Sequence, residues 1–176
     1  MAIRNLILTA ILAATVATSE TAPVSETRQA RITKETRGEI LSLPFFDVFD
    51  NIEFRVDGNN VTLTGQVTRP NLKSDAETVV KGIEGVESVD NQIEVLPLSP
   101  NDDRLRVALY RAIYRFDSLQ RYALPVIKPI RIIVKNGHVT LEGIVNNEAD
   151  KNVVKLRANG VHGVFSVTNN LRVEKS

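Results

Sequence analysis

The side chains best suited to chemistry sit between residues 101 and 116. Arg104, Arg111 and Arg115 recur there, with Val107, Tyr110 and Tyr114 interleaved. Read as a helix, this segment puts Leu105, Leu109, Ala112, Ile113 and Phe116 on one core-facing stripe. The three arginines then share the opposite side, flanked by Val107, Tyr110 and Tyr114. A guanidinium grips phosphate through a planar fork of donors, and a tyrosine ring is at home at the level of lipid headgroups. The pattern therefore suits an anionic phospholipid surface. Each cation near such a surface contributes on the order of 1 kcal/mol, so attachment would be weak and salt-sensitive. The other readings of the stripe are an ordinary solvated face, or one buried against the acidic first half of the chain.

No catalytic constellation accompanies it. His138 falls in a predicted hairpin turn and His162 lies between Val161 and Gly163, neither with another histidine at ligand spacing. Cysteine is absent, which removes disulfides, thiolate nucleophiles and lipoprotein acylation. Gly82-x-x-Gly85 and Gly160-x-x-Gly163 read as helix exits and strand entries rather than phosphate loops. The expectation is a protein without catalytic residues, metal or cofactor.

The elements that must hold the stripe come from an internal repeat. Residues 54–95 align without a gap on 132–173, offset by 78, with 14 of the 42 positions identical. Within each copy, alternating apolar residues flank an Asn/Gly turn, Gly58-Asn59 in one and Asn136-Gly137 in the other, which predicts a hairpin. Gly65 and Gly143 interrupt the second strand and mark a bulge or a close approach, expected from the helix above. A helix follows, with Ala76, Val79, Val80 and Ile83 in copy one and Ala149, Val153, Val154, Ala158 and Val161 in copy two on its apolar stripe. Gly82 and Gly160 are expected to end it as left-handed caps. A last strand begins after Gly85 and Gly163 and carries Asn91 and Asn169 between apolar neighbours. Those asparagines read as structural hydrogen-bonders in preference to ligand-binding groups. A further helix precedes each hairpin, over about Ile32–Leu43 in copy one and about Asn101–Phe116 in copy two. Ser99-Pro100, with Asp102 and Asp103, forms a good start for the second. The fold class is α+β: two tandem α-β-β-α-β modules, each a three-stranded mixed sheet with two helices on one face.

The boundaries that follow are a signal peptide over 1–19, a flexible leader over 20–31, module one over 32–96, a proline-stiffened linker over 97–100 and module two over 101–175. Arg4 and the uncharged run Leu6–Ala17 carry the export reading, and an uncleaved amphipathic anchor is its alternative. The near-neutral total hides a division. Residues 20–98 hold 8 basic and 14 acidic side chains, and residues 99–176 hold 13 basic and 7 acidic. Opposite charges of this kind can dock the modules within or between chains. Export and the neutral total disfavour nucleic acid as a partner.

The order helix–hairpin–helix–strand resembles the BON domain, named for bacterial osmotic-stress and nodulation proteins. So do the runs Val61–Val67 and Val139–Val145 (V-T-L-x-G-x-V) and Gly85–Val95 and Gly163–Val173 (G-V-x-x-V-x-N-x-I/L-x-V), with Val48-Phe49-Asp50 before the first strand. Copy two departs before its hairpin, where Phe116 to Pro129 make a longer connection. The resemblance implies a periplasmic envelope protein without catalysis, associated with osmoprotection, phospholipid binding or outer-membrane upkeep, with other envelope proteins as further partners. A protein-binding or chaperone-like role on exported proteins is the alternative, since sheet edges can accept an extended segment.

Overall fold

The computed structural model describes residues 22–174; the expected signal peptide lies outside them. Module one runs α1 (Ala22–Leu41), β1 (Asn51–Asp57), β2 (Asn60–Val67), α2 (Pro70–Lys81), β3 (Ser88–Asn91) and β4 (Glu94–Val95). Module two runs α3 (Pro100–Tyr114), a 3-10 turn (Asp117–Tyr122), β5 (Ile130–Lys135), β6 (His138–Val145), α4 (Glu148–Asn159), β7 (Ser166–Asn169) and β8 (Arg172–Val173). In each, the hairpin is antiparallel and the strand after the crossover helix pairs in parallel with the hairpin's second strand, as the periodicity predicts.

Four local expectations are corrected. Residues 22–31 are helical instead of forming a flexible leader. The helix is anchored at that depth: Gln29 Nε2 donates to the Val56 carbonyl at 2.7 Å, Arg31 to the Glu84 carbonyl at 2.9 Å, and Ile32 is wholly buried. The last strand of each module is split in two, because Asn91 and Asn169 fold back on it. Asn91 Nδ2 donates to the Lys73 carbonyl at 2.8 Å and its Oδ1 accepts from Ile93 N; Asn169 does the same with Lys151 and Leu171. The asparagines are thus structural, as read, while the break they cause was not. Gly82 and Gly160 end their helices in right-handed conformation, φ −75° and −78°. The left-handed residues are Gly85 and Gly163, φ 89° and 91°, three positions on, where the chain turns into its strand. Finally, what crowds Gly65 and Gly143 is the neighbouring strand rather than a helix: a Cβ there would stand 2.1 Å from the Asn51 carbonyl oxygen and 1.9 Å from that of Pro129.

Each module buries its own apolar core between sheet and helices. Module one's is built on Ile32, Leu63, Leu72, Ala76, Val80 and Ile93, and module two's on Leu109, Ile113, Ile132, Leu141, Val154 and Leu171. The loop before β1 crosses over: Val48 is buried in the core of module two and Phe49 packs against it. The Val48 carbonyl accepts from Ile132 N at 2.8 Å, on the outer edge of β5. Beside it Arg131 donates to the Asp47 carbonyl at 2.7 Å and lies over the Phe46 ring, and Lys135 pairs with Glu94 at 2.5 Å. Burial pulls the Arg131 pKa below its usual value.

The outward face of β5 therefore differs from that of β1. Arg131 and Ile133 are 9% and 4% exposed, whereas Glu53 and Arg55 at the same repeat positions lie open. Ile133 and Leu96, both buried, line one cleft between the modules. Giving Ile133 its copy-one counterpart, Ile133→Arg, is expected to bury an unpaired charge and part the modules. Limited proteolysis at the 97–100 linker should then run faster, and unchanged cleavage would contradict this interface.

Candidate anion-binding face of module two

Helix α3 is fixed from below before its outer face is considered. The Ser99 hydroxyl accepts from Asp102 N at 3.2 Å, capping the helix, and Pro100 occupies its first turn. Asp102, buried, accepts from Asn136 N at 2.8 Å and Gly137 N at 2.9 Å, so it clamps the β5–β6 turn to the helix start. Arg106, also buried, donates to the Val134 carbonyl at 2.8 Å and to Asp103 at 2.6 Å. With Leu105, Leu109 and Ile113 in the core, the helix has one rotational setting. That setting leaves Arg104, Arg111 and Arg115 exposed on a common stripe.

Arg104 leans on Asn101 Oδ1, and none of the three arginines meets a carboxylate among the described residues. In the corresponding layer of module one, Arg31 pairs with Glu35 and Glu84, and Lys81 with Glu77, whose carboxyl Lys81 holds below the usual range.

The flanking residues divide. Val107 is exposed. Tyr110 is half-buried, its ring edge-on to Phe49 at 6.4 Å and tilted against Tyr114 at 4.9 Å. Tyr114 is not a surface residue: it is 3% exposed and donates to the Ile130 carbonyl at 2.5 Å. Burial raises its pKa well above the ordinary tyrosine range, so it stays a donor. The wheel misplaced it because module one's Val48 and Phe49 extend the core across that flank of α3.

The sequence reading missed the contribution of α4, which packs beside α3. Leu156 is 71% exposed, and Arg157 reaches across to donate to the Ala112 carbonyl at 3.1 Å with its guanidinium over the Phe116 ring. A shallow groove of about 260 Å³ runs between the helices, lined by Ala112, Phe116, Val153 and Leu156. Leu156-Arg157 in the basic half was the available signal. What sequence spacing could not supply was its adjacency to a stripe some 45 residues earlier.

The remaining candidates are structural or open. His138 Nδ1 lies 2.8 Å from Ser166 Oγ, joining the hairpin to β7. His162 and Arg104 stand on the rim of an open groove of about 690 Å³ at the start of α3. Among the described residues, no group of acidic or histidine side chains could hold a metal ion.

Two mixed sheets, each backed by a helix pair, with an exposed arginine stripe on α3, define a tandem binding-type module protein. The BON domain model matches residues 28–97 and 117–175. The chain belongs to the BON domain family, whose domain is of a non-catalytic, binding type. Helix α3, with the arginine stripe, lies ahead of the second matched segment. Among solved structures the chain is similar to CdsD, a structural protein of the type III secretion system of Chlamydia trachomatis. One structure shows 15% identity and a TM-score of 0.32, covering 83% of this chain and 93% of that one. Its C-terminal domain, in another structure, shows 16% identity and a TM-score of 0.30, covering 84% and 99%. No curated protein is matched. Among the described residues no helix is long and apolar enough to cross a membrane.

Proposed function

We propose that this is an exported envelope protein that associates peripherally with anionic phospholipid, through the helical face of module two, in support of envelope integrity under osmotic stress. The observation that carries it is the stripe of Arg104, Arg111 and Arg115, exposed and without carboxylate partners among the described residues, beside the exposed Val107 and, across the groove to α4, Leu156. Cations with apolar side chains between them suit the headgroup boundary, where the charges meet phosphate and the apolar groups leave water. The family's envelope association supports the same compartment. Tyr110 contributes by bracing the helix, and Tyr114 is removed from the contact set.

The test is co-sedimentation with anionic and zwitterionic vesicles across a salt series. Binding should be confined to anionic vesicles and fall as salt rises. Arg111→Glu with Arg115→Glu removes two cations at about 1 kcal/mol each, so affinity should fall at least roughly 30-fold. Undiminished binding would rule out this face. No binding to either vesicle would turn the reading toward protein partners.

A further inference from the structure

The interface between the two modules is heterologous: module one contributes one surface and module two a different one. Because the modules are repeats, each surface has a counterpart on the other module, and among the described residues no segment docks on it; on β1 Gln29 holds the Val56 carbonyl, as Arg106 holds that of Val134 on β5. Val48, whose carbonyl docks on β5, corresponds to Val126, which is 97% exposed in the loop before β5. Leu124 and Ile127 beside it are also exposed. Ile132, whose N–H receives that carbonyl, corresponds to Phe54. The two hairpins share one register, Phe54 opposite Leu63 and Ile132 opposite Leu141. Phe54 N–H therefore points to the outer edge of β1, a strand that pairs with β2 alone.

The charges obey the same shift. The ion pair of Lys135 with Glu94 becomes Asp57 with Arg172, reversed in sign and still complementary. The buried neighbours Ile133 and Leu96 become Arg55 and Glu174, another opposite pair. All four of these charged side chains are exposed. The docking loop is held differently in the two copies, by Asp47 and Asp50 in one and in the other by Lys128 Nζ on the Ala123 and Pro125 carbonyls.

We propose that the chain associates head to tail with further copies of itself, the loop Leu124–Ile127 of one copy docking on the open edge of β1 in the next. Asp57 of the acceptor then pairs with Arg172 of the donor, and Arg55 with Glu174. The acidic module of one copy meets the basic module of another, which is where the division of charge along the chain places the attraction. Donor and acceptor surfaces are separate, so each copy carries one of each. Such contacts propagate into a string, or a ring if the rotation closes.

The experiment is sedimentation velocity on the purified chain over a range of concentration and salt. Growth beyond a dimer is expected with rising concentration, diminishing as salt is added. Val126→Asp should abolish it. Asp57→Arg and Arg172→Asp should each weaken it at least tenfold, and the two together should restore it. All three positions are exposed, so the fold is retained. A monomer at every concentration, a dimer indifferent to Val126→Asp, or a double variant no better than the singles would overturn the proposal. So would a monomer that captures unfolded peptide on the β1 edge, which would make that edge a client site.

Discussion

Gly143→Ala is expected to cost at least about 3 kcal/mol and to leave module two largely unfolded at moderate temperature. Gly143 sits mid-strand in β6 opposite Ile130, with φ 115°. A residue with a side chain at such an angle carries about 1–3 kcal/mol of strain by itself. The larger part is collision: the new Cβ would stand 1.9 Å from the Pro129 carbonyl oxygen, a backbone atom that cannot swing aside. Relief would require separating β5 from β6, and with them the docking site for Val48. A module of this size has only about 4–10 kcal/mol of stability to lose. Urea denaturation followed by circular dichroism would measure it, with Gly65→Ala as the counterpart in module one, where the Cβ would stand 2.1 Å from the Asn51 oxygen. A loss below 1 kcal/mol would show that the hairpin absorbs the methyl group.

The second large effect is expected at Tyr122. In module one the amide that follows β2, Thr68 N, donates to the buried Asp50 carboxylate at 2.7 Å. In module two Lys128 stands at the Asp50 position, and the equivalent amide, Asn146 N, donates instead to the Tyr122 hydroxyl at 2.8 Å. That hydroxyl donates in turn to Asp150 Oδ2 at 2.6 Å. Asp150, buried, occupies the place held in module one by Leu72. Two changes, apolar to acid and acid to phenol, thus compensate each other across the repeat. Tyr122→Phe alone leaves the Asn146 amide without its acceptor and takes one donor from Asp150, which keeps Asn147 Nδ2 at 3.1 Å and Arg121 at 3.9 Å, at a cost of about 1–3 kcal/mol. Adding Asp150→Leu restores an apolar pair of the module-one kind and should recover more than 1 kcal/mol of it. Losses that simply add in the double-mutant cycle would sink the claim that the two residues act as a pair. Burial raises the Tyr122 pKa, with Asp150 as a further cause, so its contribution is complete below about pH 10, the ordinary tyrosine value, and is lost as the pH rises through the higher folded value.

Much of the architecture was legible because it rests on short-range chemistry. The hairpin turns at Gly58-Asn59 and Asn136-Gly137 fall where the residue types require. The start of α3 follows from Ser99-Pro100 and the structural asparagines from their recurrence. Two copies of one pattern confirmed each other, so errors confined to one copy were few. The misreadings at Gly82, Gly160, Gly65 and Gly143 share a cause. Glycine in a sequence announces an unusual backbone or a close approach without saying which atom comes near.

The candidate face was half legible. Arg104, Arg111 and Arg115 share a stripe by helical period alone, and the structure leaves them exposed. Tyr114 obeys the same period and is nonetheless buried, because a loop from the other module covers its flank. Leu156 and Arg157 join the face only through the packing of α4 on α3. The sequence by itself determined the repeat, the elements of each module, the strand faces and the division of charge, since these depend on period and on residues a few positions apart. Only the tertiary structure decided which strand edge Val48 occupies, which is left open at β1, and which side chains around α3 meet solvent. Those outcomes hinge on contacts between residues dozens of positions apart, and no local periodicity encodes them.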